Sequence, residues 1–296
     1  MLLKNDKELN QNDFEREEGL KKYFEKNLDK ILNYKYIASE FTVGNFRIDT
    51  LAFDEETKSF KILEFKNVKN RSLVDQGYTY LKLLLERKAD FVLKYCLKEN
   101  KQINISDIDW SQSRIIFVAP VFTVYQLNAT DFKNIPIDLI KVTKYDDDIV
   151  LIERIKKTSN VKVEEIIVDE QDEVSREIKV YTEEDHLKGK PEAIREVYET
   201  LRDRILELDD IDIDFKKKYV AFKGRRNIVD LEVYKSKVVV HINMKKGTLE
   251  DPFNITIDLS NCGHHGNGDY CVDMNSLDNI DEVISLVKQS LKVNKK

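Results

Sequence analysis

The feature that most constrains this chain is the run Phe60-Lys61-Ile62-Leu63-Glu64-Phe65-Lys66. In a strand, side chains alternate in direction, so Phe60, Ile62, Glu64 and Lys66 fall on one face. A carboxylate and an ammonium then close an otherwise apolar row, and burying such charges is costly unless each has a partner. A second strand-like run, Phe46–Phe53, precedes it across the polar turn Asp54–Lys58, and together they read as a β-hairpin. On the first strand Arg47, Asp49, Leu51 and Phe53 share a face, and pairing brings Asp49 within reach of Glu64. Two carboxylates converging beside a lysine suit Mg²⁺, a hard cation that takes one or two protein carboxylates and keeps several waters. Such a cation lowers the pKa of its water and stabilises the charge that builds on a phosphate. Lys66 then orients or deprotonates that water, and the sequence leaves both roles open.

Helices flank the hairpin. Residues 14–32 carry Leu20, Phe24, Leu28 and Ile31 at helical spacing, and Glu17, three residues before Leu20, shares the inward face. It offers a third carboxylate, or a contact to a metal-bound water. A second helix, Leu73–Arg87, presents Gln76 and Tyr80 one turn apart, an amide and a phenol suited to holding the site or a phosphate. Arg114–Ala119 then reads as a buried strand, giving the order α-β-β-α-β. The plainer alternatives are a solvated ion pair on an edge strand for Asp49, Glu64 and Lys66, and a helical turn packed on the sheet for Gln76 and Tyr80. Lys61, Lys69, Arg71, Lys82 and Arg87 flank the site as candidates for phosphate contacts.

Read in order, Glu17…Arg47-Ile48-Asp49…Ile62-Leu63-Glu64-Phe65-Lys66…Gln76-Gly77-x-x-Tyr80 resembles the E…D…ExK…QxxxY signature of the PD-(D/E)XK nucleases, the restriction-endonuclease-like superfamily. The likeness spans about residues 14–155 and points to a microbial branch related to DNA-repair and restriction nucleases. It implies an α/β core with a central mixed sheet, followed by a smaller α+β domain. It also implies Mg²⁺ or Mn²⁺ at Asp49 and Glu64, with Glu17 and the backbone carbonyl of Phe65 as further ligands. The implied reaction is hydrolysis of DNA phosphodiesters assisted by Lys66, with Gln76 and Tyr80 in the site and RNA left open as a substrate. Family members often have tyrosine before the lysine, where Phe65 stands here, but only the backbone carbonyl of that residue would face the metal. The rival reading is a binding module that keeps the nuclease fold without turnover.

At 296 residues the chain is long enough for two domains. The run 156–179 has twelve charged residues among twenty-four and neither Gly nor Pro, so we expect a nuclease-like domain over 1–157, an exposed connector over 158–180 and a second domain over 181–296. In the second domain a helix from Pro191 to Leu208 precedes strands near Tyr219–Lys223, Ile228–Tyr234 and Lys237–Asn243, and a last helix covers Ile280–Leu291. Through DPFNITIDLS and GHHGNGDY this half resembles a domain of unknown function that accompanies such nucleases. Cys262, His264, His265 and Cys271 are of the types zinc prefers, but their spacing matches no common finger, and Gly266-Asn267-Gly268 reads as a tight turn.

The net charge of −6 argues against indiscriminate coating of nucleic acid, and residues 1–157 carry net +1 against −7 for the remainder. Phosphate, if bound, meets the first half. The basic cluster Lys216, Lys217, Lys218, Lys223, Arg225 and Arg226 reads first as a solvated hairpin end. Three cysteines do not form a disulfide framework, and no run is apolar enough for a signal peptide or a membrane span, so we expect a cytoplasmic protein without a membrane partner. A homodimer would let two sites cut opposing strands.

Overall fold

The computed structural model describes residues 2–12, 14, 16–66, 73–132, 134–158, 174 and 176–295. They fall into two units, Met1–Val180 and Tyr181–Lys296. The first begins with three two-residue strands, β1 (Leu3–Lys4), β2 (Lys7–Glu8) and β3 (Gln11–Asn12), then helices α1 (Glu17–Lys26) and α2 (Leu28–Leu32). The single helix expected over 14–32 is therefore two. At the break the Asn27 side chain donates to the Tyr23 carbonyl (2.8 Å) and its backbone N–H to the Phe24 carbonyl (3.1 Å), which competes with the regular ladder.

Strands β4 (Lys35–Val43), β5 (Phe46–Asp54) and β6 (Ser59–Phe65) form an antiparallel meander. Helices α3 (Leu73–Glu86) and α4 (Lys88–Glu99) lead to β7 (Arg114–Ala119), and α5 (Val124–Thr130) leads to β8 (Ile137–Tyr145) and β9 (Val150–Arg154). Because β7 runs parallel to β6 and β8 parallel to β7, the sheet is mixed, ordered β3-β8-β7-β6-β5-β4 with β9 on β8. The α-β-β-β-α-β succession around this sheet is a mixed α/β core, with β4 as a strand beyond the expected order.

Alternation decides which helix covers which face. Leu51, Phe53, Phe60 and Ile62 pack with Leu81 and Leu84 of α3 and Phe91 and Tyr95 of α4. Ala52, Leu63 and Phe65 pack on the other face against Leu20 and Phe24 of α1 and Leu28 of α2. The expected connector over 158–180 is shorter than the sequence suggests. Val174 and Ile178 are buried in the first unit's core, Lys179 N–H donates to the Ser111 carbonyl (2.9 Å), and Arg114 donates to the Lys179 carbonyl (2.8 Å). Among the described residues there, Arg176, Glu177 and Lys179 are exposed while Val174 and Ile178 are absorbed. The short strand that the sequence allows inside this run, such as Glu164–Val168, lies outside the described residues.

The second unit is a six-stranded antiparallel sheet, β10 (Asp212–Phe215), β11 (Val220–Lys223), β12 (Asn227–Val233), β13 (Val238–Ile242), β14 (Ile257–Asp258) and β15 (Tyr270–Met274), ordered β10-β11-β12-β13-β15-β14. Helices Glu192–Leu206, with Pro191 at its N-cap, and Ile280–Asn294 bury Tyr198, Leu201 and Val287 against Leu231, Val240 and Val272. Asp230, fully buried, accepts from the Asn227 amide (2.9 Å) and from the backbone (2.6 Å) and side chain (2.7 Å) of Asn267. Gly266 is required there, since a Cβ would lie 2.3 Å from His241 Cγ. Cys262 is exposed, while Cys271 is buried and its thiol is pushed up to about 11, chiefly by burial. Among the described residues no group of three His, Cys, Asp or Glu side chains is arranged to hold a metal, so these cysteines and histidines do not converge on a zinc site. Of the basic cluster, Lys216 and Lys223 lie 2.8 and 3.5 Å from Asp214.

Candidate active site

Regular pairing of β5 with β6 ends at Thr50 opposite Leu63, and the next row sets Asp49 against Glu64. Side chains take over from the ladder at that point. The Asp49 N–H donates to Glu64 Oε1 (3.1 Å), and the Phe65 N–H donates to Asp49 Oδ2 (3.0 Å). Ile48 joins the same cluster as Leu51 and Phe53, so the alternation expected of Arg47, Asp49, Leu51 and Phe53 ends at Asp49. Lys66 is fixed by its N–H, which donates to the Val118 carbonyl (2.9 Å), and its Nζ lies 3.4 Å from Glu64 Oε2. The Phe65 carbonyl leaves the strand on the same edge as its N–H, toward Asp49.

Helix α3 closes the site from the other side. Gln76 Nε2 donates to Glu64 Oε2 (3.0 Å) and to the Tyr80 hydroxyl (3.4 Å), and that hydroxyl donates to the Arg47 carbonyl (3.0 Å). Phe46 lies edge-on to the Tyr80 ring, with centroids 6.2 Å apart. The helix approaches this closely because residue 77 is glycine. A Cβ there would lie 2.7 Å from Ile137 Cδ1 and 3.2 Å from Ile115 Cγ2. Gly77→Val is therefore expected to destabilise the chain by about 2 kcal/mol through overpacking, and denaturant unfolding measures it; an unchanged midpoint would show that the helix has slack here.

The electrostatics follow from burial. Glu64 is 1% exposed, and burial first, then the negative charge of Asp49, push its carboxyl up to about 7. The Tyr80 phenol is raised, chiefly by burial and next by the charge of Glu64. The two carboxylates thus have the ammonium of Lys66 on the Glu64 side only, and the charge of Asp49 still works against ionisation of Glu64. Such a pair lacks positive charge, and a hard divalent cation supplies it, so the donor set fits Mg²⁺ or Mn²⁺.

Two expectations need correction. Glu17 is exposed in the first turn of α1, where its charge complements the helix N-terminus, and that helix covers the face opposite Leu51 and Ile62. It does not complete a group of three metal-holding acids, none of which exists among the described residues. Lys61 is buried, donates to the Gln112 carbonyl (2.7 Å) and lies 3.5 Å from Asp54, so it serves the sheet and meets no phosphate. Lys69 and Arg71 lie outside the described residues. Conversely, α1 contributes groups that sequence reasoning passed over. Glu25 accepts from the Thr50 hydroxyl (2.6 Å), and buried Lys21 pairs with Glu40. The available signal was that Lys21 sits between Leu20 and Phe24 on the inward stripe.

The fold and site define a two-unit α/β protein whose first unit brings an acidic pair and a lysine from β5 and the end of β6 together with a glutamine of α3. The chain is 43% identical over 289 residues to an "Uncharacterized protein" of Haemophilus influenzae, covering 96% of both chains, and it belongs to that protein's family. Residues 183–294 match a family described as "Domain of unknown function (DUF5655)". Among solved structures it is similar to one titled "Structure of EndoMS-dsDNA2 complex", with 20% identity, a TM-score of 0.28, and coverage of 40% of this chain and 44% of that one. It is also similar to "crystal structure of a repair endonuclease from Pyrococcus abyssi", with 18% identity, a TM-score of 0.23, and coverage of 40% and 45%. The chain therefore spans less than half the length of either solved chain. Among the described residues no helix is long and apolar enough to cross a membrane.

Proposed function

We propose that the first unit is a metal-dependent nuclease of the PD-(D/E)XK type that hydrolyses phosphodiester bonds in DNA, in restriction, repair or defence. The observation that carries this reading is the pairing of buried Glu64 with half-buried Asp49, set beside Lys66. Asp49 and Glu64 would hold Mg²⁺ or Mn²⁺, which when bound supplies charge stabilisation to the phosphate and acidifies water. Lys66 holds a water or a phosphate oxygen within reach of the acids. Gln76 ties one Glu64 oxygen toward α3, and Tyr80 is itself held by the Arg47 carbonyl, so the first contacts of the site are braced by a second set. The second unit would recognise a feature of the substrate or pair two chains into a homodimer.

The test is cleavage of labelled linear, circular, single-stranded and forked DNA, with an RNA control, in Mg²⁺, Mn²⁺ or EDTA. Metal-dependent cutting by the wild type that vanishes in Asp49→Ala is expected. Salt-sensitive DNA binding without cutting, equal in wild type and variant, would replace this reading with the non-catalytic module.

A further inference from the structure

The acidic pair has a third neighbour. The register of β4 on β5 pairs Ser39 with Thr50 and Phe41 with Ile48, which sets Glu40 opposite Asp49, so Glu40, Asp49 and Glu64 occupy one row across three adjacent strands. Glu40 also has φ +51 inside a strand, a left-handed conformation that non-glycine residues rarely adopt and that tends to persist where surrounding contacts hold it for a purpose. Its carboxylate is engaged by Lys21 Nζ and by Arg47 Nε, the latter at 2.7 Å. Arg47 is largely exposed, whereas Lys21 is buried beneath α1. Burial works against the charge on Lys21, but its bond to Glu40 and the charges of Glu40, Glu25 and Asp49 outweigh that and hold its pKa above the usual value.

We infer that Lys21 is a positioning residue for the metal site: its ammonium takes Glu40 out of the acidic row, so that Asp49 and Glu64 alone are left to hold one divalent cation. This rests on the proposed function, since it concerns the cation that the nuclease reading requires. Lys21 and Glu40 act as a neutral unit. Removing one partner changes the charge beside Asp49 by one unit while Arg47 stays on the Glu40 side, and removing both restores the balance.

The experiment is titration of the full chain with Mn²⁺, followed by electron paramagnetic resonance, for wild type, Glu40→Gln, Lys21→Met and the double variant. Wild type is expected to bind one Mn²⁺. In Glu40→Gln the ammonium turns on Asp49, and Mn²⁺ affinity falls by about tenfold, as for loss of an outer partner of a metal ligand. The double variant returns to within about threefold of wild type, a rescue that lost packing alone does not produce. Wild-type affinity in Glu40→Gln, or a double variant as weak as Glu40→Gln, overturns the inference. Should Glu40→Gln fail to fold, Lys21→Met decides: tighter or additional Mn²⁺ binding supports the inference, and unchanged or weaker binding overturns it. A wild type that binds no Mn²⁺ overturns the nuclease reading and this inference together, whereas binding and cleavage that ignore Glu40→Gln overturn only the latter.

Discussion

Lys66→Met is expected to lower metal-dependent cleavage by about 10²- to 10⁴-fold, the range for losing a group that handles a proton in the transition state, while Mn²⁺ binding stays within a few-fold of wild type. Glu64→Ala should lose both. The separation follows from position. On the proposed reading Glu64 would offer an oxygen to the cation, and it is the hub to which Asp49 N–H, Gln76 and Lys66 all converge. Lys66 lies 3.4 Å from the second Glu64 oxygen, too far for a strong bond, with its side chain 18% exposed, so it is free to reach a substrate. Parallel measurement of cleavage rate and Mn²⁺ affinity tests the distinction. A Lys66→Met protein that cuts at the wild-type rate would remove Lys66 from the chemistry, and one that fails to bind Mn²⁺ would make it a structural counter-ion of Glu64.

Most of the first unit was legible because its strands obey a simple rule. Arg114–Ala119 is bounded as read, and the hairpin and α3 lie within a residue or two of their expected limits. Where the alternation is broken, sequence reasoning failed. Strand β4 shifts register between Tyr36 and Ala38 and turns left-handed at Glu40, so its apolar residues do not keep period two, and it was not read as a strand. The site was legible for the same reason as the hairpin: Glu64 and Lys66 break an apolar row, and Gln76 and Tyr80 keep helical spacing. Glu17 was misread because helical phase says which side a residue faces but not where the helix starts. It stands in the first turn, exposed, while the next inward polar position, Lys21, is the buried one. Lys21 was invisible because its partner Glu40 is nineteen residues away and is presented by an unusual backbone conformation.

The buried carboxyl gives a second large effect, on stability rather than rate. Glu64 titrates near 7 in the folded chain without metal, against an ordinary value of 4.5 that the unfolded chain restores. The folded state therefore holds this proton more tightly. Below about pH 4.5 both states are protonated and the carboxyl costs nothing; as pH rises toward 7 the unfolded chain releases its proton first, and stability falls until both are ionised. A displacement of this size corresponds to roughly 3 kcal/mol as an upper figure, at about 1.4 kcal/mol per pKa unit. Metal-free protein is thus expected to lose on the order of 2–3 kcal/mol between pH 5 and 8 from this group, and Glu64→Gln to lose that slope. Absolute stability also shifts in the variant, because Lys66 and Gln76 meet an amide in place of a carboxylate, so the difference in slope is the quantity to read. Other groups, such as half-buried His186, titrate alike in both proteins and cancel in the comparison. Saturating Mg²⁺ should flatten the wild-type profile at high pH, since a cation bound only by the folded state through ionised Glu64 displaces the proton and stabilises the folded chain where that proton is lost. Denaturant unfolding in EDTA and in Mg²⁺ across this range provides the measurement. Parallel profiles for wild type and Glu64→Gln in EDTA would mean that Glu64 is ionised throughout and already has its full complement of positive charge, which would also withdraw the electrostatic argument for a metal.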